Sequence, residues 1–124
     1  MGLNSYKKAA RGAFKTEYNT EILYLRRYFH KSYENPLETQ LTYMINHENN
    51  KDIKAMLETW QSVIKTYILQ TDVNLLKVIK VALVFGYETI QEAGNAYLFY
   101  QKSQTYRTLT AWLQGLRLAF FKAR

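Results

Sequence analysis

The residues in this sequence whose types and spacing could do chemistry are its basic side chains and the tyrosines beside them. Lys and Arg neutralise phosphates and release the counterions of a nucleic acid, and aromatic rings next to cations can stack on the bases of a single strand. The pattern therefore predicts sequence-independent contact with nucleic acid. The expected phosphate contacts are Lys7, Lys8, Arg11, Lys15, Arg26, Lys77, Lys80, Arg107 and Arg117. The expected stacking platforms are Tyr6, Tyr28 and Tyr106.

Helical geometry would gather some of these cations into ridges. At about 100° per residue, Lys8, Lys15 and Arg26 fall within roughly 20° of one another beside an apolar stripe. Lys77 and Lys80 are three residues apart and would share the face of another helix. Such ridges match a phosphate backbone, although each of these residues taken singly is also typical of a solvated helix surface.

Charge is unevenly placed along the chain. The 124 residues include 17 Lys and Arg against 10 Asp and Glu, for a formal net charge of +7. Nine of the 17 basic residues lie in the first 16 residues and in residues 93–124, which contain no acid. This bias indicates a nucleic acid, or an acidic protein that holds one, as the partner.

Catalytic and metal-binding patterns are absent from the sequence. It contains no Cys, so thiolate chemistry and disulfides are excluded. His30 and His47 fall on different elements, and there is no His-Glu-x-x-His motif or glycine-rich phosphate loop. We expect no enzyme activity, no metal and no cofactor. The weakest alternative, a helical nuclease, would need His30 or His47 to meet an acid or an arginine in a cleft.

The elements that must position these residues are predicted to be helices throughout. Apolar side chains recur every three to four residues from Tyr6 to Tyr33, which predicts one long helix over 5–34 with Ser5 as N-cap and a kink near Gly12. Pro36 should end it, and Asn35 should cap a short second helix with Leu37, Leu41, Met44 and Ile45 buried. Further helices are predicted over 51–70, over 72–86 with Thr71 or Asp72 as N-cap, over 87–102, and from Ser103 or Gln104 onward. The inward positions are expected to be Ile90, Ala93 and Tyr97 in the fifth helix and Tyr106, Leu109, Leu113, Leu116 and Phe120 in the sixth.

The interiors of these later helices can also be read from spacing. The third helix should be capped by Asn50 and bury Ile53, Leu57, Trp60, Ile64 and Tyr67. The run of Val and Ile at 78–84 could be a buried strand, but no second strand is available to pair with it. Gly86 and Gly94 are predicted to allow close helix packing. Together these elements predict an all-α fold, a compact bundle of about five to six helices forming a single domain over 1–124.

Membrane and targeting signals are weak. The most apolar run, Leu75 to Tyr87, is about 13 residues long and is interrupted by Lys77 and Lys80, whereas a spanning helix needs about 20. The first 15 residues have no apolar segment of a secretory signal. Their basic, acid-free character is similar to an organelle presequence, but we expect no targeting segment and a cytoplasmic protein.

Size, helicity, basic charge and the lack of catalytic residues together resemble the small subunits of CRISPR effector complexes. The resemblance is one of pattern over the whole chain and implies a helical bundle that lines up in copies beside larger subunits and steadies a nucleic-acid strand. Coat proteins of filamentous viruses and accessory subunits of organelle complexes share the same general pattern. The alternative function is a protein–protein assembly or accessory subunit, such as an immunity protein, in which the aromatic residues are interface anchors.

Overall fold

The computed structural model describes residues 14–124, and helices joined by turns make up this part of the chain. A π-helix, Ile79–Val84, directly continues the fourth α-helix, and the described residues contain one isolated antiparallel bridge, Lys31 to Thr39. The predicted compact all-α fold is confirmed, with one helical segment more than the expected five to six. The α-helices are α1 (Asn19–Phe29), α2 (Gln40–His47), α3 (Lys51–Leu69), α4 (Val73–Val78), α5 (Ile90–Leu98) and α6 (Lys102–Ala123).

The first helix is shorter than predicted at its C-terminal end and broken near its start. Residues 14–17 are helical, Tyr18 departs from helical geometry (φ −110°, ψ 24°), and α1 follows. The chain leaves the helix at His30 (φ −76°, ψ 143°), well before Pro36, so the prediction that Pro36 ends the helix is wrong. The predicted helix before residue 14, with its Ser5 cap and its kink near Gly12, lies outside the described residues.

A closed loop over residues 30–40 replaces the last predicted turns of that helix. The Ser32 hydroxyl accepts hydrogen bonds from the backbone N–H groups of Glu34 (3.2 Å) and Asn35 (3.3 Å). Such local bonds from serine compete with the helical pattern. The backbone N–H of Gln40 then donates to the His30 carbonyl at 2.8 Å and closes the loop.

The second helix begins four residues later than predicted because Thr39, not Asn35, is its N-cap. The Thr39 hydroxyl accepts a hydrogen bond from the Thr42 N–H at 3.3 Å, whereas the Asn35 side chain accepts from the N–H of Leu37 within the loop. Leu37 was predicted to be buried and is 90% exposed, and Tyr33, placed in the apolar stripe, is 93% exposed. Both predictions are wrong because the loop carries these side chains away from the core.

The core is centred on α3 and α6. Trp60 lies between Tyr24 of α1 (centroids 4.7 Å apart, 10° between planes) and Phe120 of α6 (4.0 Å, 8°), so a stack of three rings ties three helices together. Ile53 is 43% exposed and does not join the core, which corrects the prediction. The predicted core positions that the structure confirms are Phe14, Tyr18, Ile22, Leu25, Leu41, Ile45, Leu57, Trp60, Ile64, Ile90, Ala93, Leu109, Leu113, Leu116 and Phe120.

The Val- and Ile-rich segment is a helix, as preferred, but its second half is π-helical. Asp72 caps α4 by accepting hydrogen bonds from the N–H groups of Asn74 and Leu75, both at 3.0 Å. The N–H of Phe85 donates to the carbonyl of Lys80, five residues earlier, at 2.8 Å. A π-helical turn is often found at functional sites, and its wider spacing changes which side chains share a face.

The fifth helix is bounded more tightly than the predicted 87–102. Thr89 and Glu92 form a capping box that begins α5. Gly86 (φ +68°) occupies the turn before it and not a helix, so the packing role predicted for Gly86 is wrong. Gly94 does allow close packing, since a Cβ added there would overlap the side chain of Thr105 on α6. The helix ends at Phe99, which adopts the left-handed conformation (φ 58°, ψ 31°).

Phe99 is expected to be a site where substitution stabilises the fold. A bulky residue at positive φ is strained by about 1 kcal/mol or more, and Phe99 recovers little by packing because it is 89% exposed. Phe99→Gly should therefore raise the free energy of unfolding by about 1 kcal/mol, measured by urea denaturation. Tyr87→Gly, which removes an exposed aromatic from a turn with negative φ, is the control and should give no such gain.

Candidate nucleic-acid interface

Arg117, a predicted phosphate contact, is engaged inside the fold. Its guanidinium forms ion pairs with Glu17 (Nη1 to Oε1, 2.9 Å) and with Glu21 (Nη2 to Oε1, 3.0 Å), and it lies over the ring of Tyr18 at 4.8 Å. Hydrogen bonds from its guanidinium to Glu21 and Glu17 raise the pKa of Arg117 above its ordinary value. These contacts occupy the Arg117 guanidinium and join α6 to the start of α1. Arg117 is therefore not included in the candidate interface.

The remaining basic residues form no ion pair with an acid within the described part of the chain. Arg26 is exposed, and its Nε donates to the carbonyl of Leu83 at 2.9 Å. One turn later, His30 Nε2 lies 2.9 Å from the carbonyl oxygen of Val84. These two contacts hold the end of α1 against the end of the π-helix and leave the terminal nitrogens of Arg26 unbonded to any described residue.

The two lysines expected to share one face contact different helices. Lys77 Nζ lies 5.6 Å from the ring centroid of Tyr97 on α5, and Lys80 Nζ lies 5.3 Å from that of Phe29 on α1. The π-helix begins between them at Ile79, so the regular helical relation on which the prediction rested is lost. Lys80 thereby lies beside Phe29 of α1, while Lys77 lies beside Tyr97 of α5.

Other predicted phosphate contacts are dispersed. Lys15 is exposed on the helical turn before Tyr18, and the break at Tyr18 interrupts the ridge expected between Lys15 and Arg26. Arg107 is exposed on α6. The predicted contacts Lys7, Lys8 and Arg11, together with the stacking residue Tyr6, lie outside the described residues.

The two described tyrosine platforms differ. Tyr106 is half-buried and packs edge-to-face on Phe14, with ring centroids 5.3 Å apart and 85° between the ring planes. Its ring therefore packs against the hydrophobic core. Tyr28 is also half-buried, and burial raises the pKa of its hydroxyl. Unlike Tyr106, however, Tyr28 opens onto a groove, together with Phe29, against which it sits edge-to-face at 5.1 Å.

A groove between α1 and α3, the α1–α3 groove, lies within the candidate interface. It has a volume of about 770 Å³, within the usual range of roughly 300–1,000 Å³ for small-molecule sites. Tyr28 and Phe29 line its α1 side, and Thr39 and Thr42 line its α2 end. Its α3 side is formed by Glu58, Gln61, Ser62 and Lys65.

Side-chain hydrogen bonds hold part of the groove wall in place. Gln61 Nε2 donates to the Thr42 hydroxyl at 2.9 Å, and the Thr39 hydroxyl donates to the same oxygen at 3.0 Å. Because its amide nitrogen is used in this way, Gln61 keeps its carbonyl oxygen as an acceptor. Glu58 and Lys65 stand about 10 Å apart along the helix axis at 1.5 Å per residue, so the groove has an anionic end and a cationic end.

Sequence reasoning missed the six polar residues of the groove. The four on α3 follow the spacing i, i+3, i+4 and i+7, but that is also the pattern of any solvated face of an amphipathic helix. Thr39 was not recognised because the sequence predicted that α2 starts after Asn35, whereas Thr39 is its N-cap. Only the approach of α1 to α3 distinguishes this face from an ordinary helix surface.

Among the described residues, neither histidine forms a hydrogen bond or an ion pair with an acid or an arginine. The His30 ring contacts the Val84 carbonyl and packs on Phe85 at 5.0 Å, and the His47 ring stacks on Tyr43 at 3.9 Å with Nδ1 bonded to the Tyr43 carbonyl. Among residues 14–124, no group of three His, Asp or Glu side chains is placed to hold a metal ion. The described contacts of both histidines are therefore with backbone carbonyls and aromatic rings.

Fold and site together define an all-α protein with a groove that combines aromatic rings, hydrogen-bonding side chains and a cationic end. In the described part of the chain, no helix has the length and apolarity required to cross a membrane. No protein-family model, curated protein or solved structure matches this chain. Its function is therefore inferred from its own residues.

Proposed function

We propose that this chain is a non-catalytic subunit of a nucleoprotein complex that contacts a single strand or a nucleic-acid backbone without sequence specificity. The carrying observation is that Lys65 and Lys80, which have no acid partner in the described chain, lie at the groove and at the ring of Phe29. Lys80 lies over the Phe29 ring, Arg26 precedes it by one turn, and Lys65 lines the same groove.

This combination suits a single strand. Cations along a groove follow the phosphates, and a neighbouring aromatic ring stacks on a base whatever its identity. Lys77, over Tyr97, and exposed Lys15 and Arg107 would extend the contact beyond the groove. The formal net charge of +7 would speed association with a polyanion.

The remaining parts of the proposal concern partners. We place the chain in the cytoplasm, beside larger subunits and copies of itself, in a role of the kind filled by the small subunits of CRISPR effector complexes. What supports this is the all-α fold together with a groove that has Lys65 at its cationic end.

Charge reversal at the two lysines that lie over aromatic rings should weaken binding to every oligonucleotide alike. For Lys77→Glu/Lys80→Glu, affinity should fall about tenfold or more, and the slope of log affinity against log salt should flatten by about 2, since two phosphate contacts are lost. The measurement is fluorescence anisotropy with labelled single-stranded and duplex oligonucleotides from about 50 to about 300 mM salt.

A matched control is available on α3. Lys51 and Lys54 are also three residues apart and unpaired in the described chain, but, unlike Lys77 and Lys80, neither lies over an aromatic ring there. Lys51→Glu/Lys54→Glu makes the same change in net charge, so it should reduce affinity much less. Equal losses in the two variants would show that only net charge matters and would contradict the proposed interface.

A second candidate function, assembly through protein contacts, is favoured by Phe99. A strained and 89% exposed aromatic side chain is costly to the fold, and rigid aromatics are frequent interface anchors. Sedimentation velocity tests it with copies of this chain: association that Phe99→Gly abolishes, with oligonucleotide binding unchanged, would support this function. A monomer over the accessible concentration range would count against self-assembly through Phe99.

A further inference from the structure

We infer that the α1–α3 groove receives one nucleobase of the bound strand and prefers bases that carry an exocyclic amino group. This goes beyond the proposed backbone contact, and it rests on that proposed function for the origin of the ligand. It adds a preference at a single position to binding that is otherwise independent of sequence.

The aromatic side of the groove supplies the stacking surface. Tyr28 and Phe29 are both half-buried, and their rings are nearly perpendicular (79°), so a base can stack on one ring and meet the edge of the other. The volume of about 770 Å³ leaves room for a base with its sugar.

The α3 side supplies hydrogen-bond acceptors. An ionised carboxylate such as that of Glu58 can only accept, and no described residue donates to it. Gln61 adds a carbonyl oxygen whose direction is set by the bond from its amide to Thr42 (2.9 Å).

Acceptors of this kind select among bases. The amino groups of adenine, cytosine and guanine donate to them, as in the pairing of Glu with cytosine N4. Uracil and thymine have carbonyl oxygens on either side of their single N–H, and these would face the Glu58 carboxylate unfavourably.

The cationic end of the groove, at Lys65, can bind the phosphate of the nucleotide. Lys65 lies two turns from Glu58 on the same face of α3 and has no ion-pair partner in the described chain. A nucleotide with its base at Glu58 would therefore place its phosphate toward Lys65. The groove thus offers complementary groups for each part of a nucleoside 5′-monophosphate.

The test is calorimetric titration of the full chain with AMP, GMP, CMP and UMP. We expect the three amino-bearing nucleotides to bind about tenfold more tightly than UMP. Glu58→Gln should narrow the difference, because the neutral amide no longer repels the carbonyl groups of uracil and can donate to them. Four equal affinities, or no binding of any nucleotide, would overturn the inference.

A filled groove provides the structural control. Ser62→Tyr places a ring in the groove from an exposed position, and Ser103→Tyr makes the same change at an exposed position of α6 that does not line it. The first variant should lose nucleotide binding and the second should keep it; binding unchanged by Ser62→Tyr would refute the groove as the site. If oligonucleotides bind but the nucleotide preference is absent, this inference fails and the proposed function stands; if no oligonucleotide binds, the proposed function itself fails.

Discussion

Arg117→Met is expected to lower the free energy of unfolding by about 2–4 kcal/mol. The Glu21 side chain is only 6% exposed, and Arg117 donates to it through Nη2 at 3.0 Å and Nε at 3.4 Å. Removing the guanidinium leaves a buried carboxylate without its cation, while Met keeps most of the apolar volume. The effect should fall below that of a fully buried pair, because the Arg117 side chain retains 24% exposure. Urea denaturation measures the change.

The control for this prediction lies on the same helix. Arg107 is exposed and forms no ion pair within the described residues, so Arg107→Met should change stability by less than about 0.5 kcal/mol. Replacing both partners, as Glu21→Leu/Arg117→Met, should recover much of the loss, because no buried charge remains. If Arg117→Met unfolds at the wild-type urea concentration but flattens the salt dependence of oligonucleotide binding, the residue is a phosphate contact after all.

Gly94→Ala is expected to destabilise the protein by about 3 kcal/mol, although the same change inside an unobstructed helix would stabilise it by about 1 kcal/mol. The new Cβ would overlap the hydroxyl, the methyl group and Cβ of Thr105. Thr105 is fully buried, and its hydroxyl donates to the Gln101 carbonyl at 3.0 Å, so it has little freedom to move. The helices α5 and α6 would have to separate, which thermal or urea unfolding would detect.

Two further variants separate the steric cause from other effects of the substitution. Thr105→Ala in the Gly94→Ala background removes two of the three overlapping atoms and should recover part of the stability lost. Gly86→Ala places a Cβ in open space and should cost about 1 kcal/mol through its positive φ alone. A Gly94→Ala protein as stable as wild type would show that α5 and α6 are not in the close contact described.

Local signals in the sequence predicted much of the fold. Asn50 caps its helix as expected, and Asp72, one of two expected candidates, caps α4, because a cap depends on a side chain and the N–H groups two or three residues ahead. The buried positions of α3 and α6 also follow their spacing. Errors arose where two local signals compete: Asn35-Pro36 and Thr39 are both good helix starts, and the pairing of His30 with Gln40 across the loop favoured the second.

The candidate interface was less predictable. The sequence gives no sign that two arginines of α6 differ in their surroundings. Arg117 forms ion pairs with Glu17 and Glu21, whereas Arg107 is exposed to solvent. The acids that capture Arg117 lie about 100 residues earlier, a distance over which spacing carries no information. The π-helix, which sends Lys77 and Lys80 to different neighbours, also has no recognisable sequence signal.

By itself, the sequence determined an all-α architecture, an excess of positive charge and most of the core, because helical periodicity, capping and composition act over a few residues. Only the tertiary structure decided which cations form ion pairs within the protein, as Arg117 does, and which lie at the groove, as Lys65 does. The polar face of α3 became one wall of that groove through the approach of Tyr28 and Phe29 on α1. That approach depends on packing between helices distant in sequence, where the three-ring stack of Tyr24, Trp60 and Phe120 brings α1, α3 and α6 together.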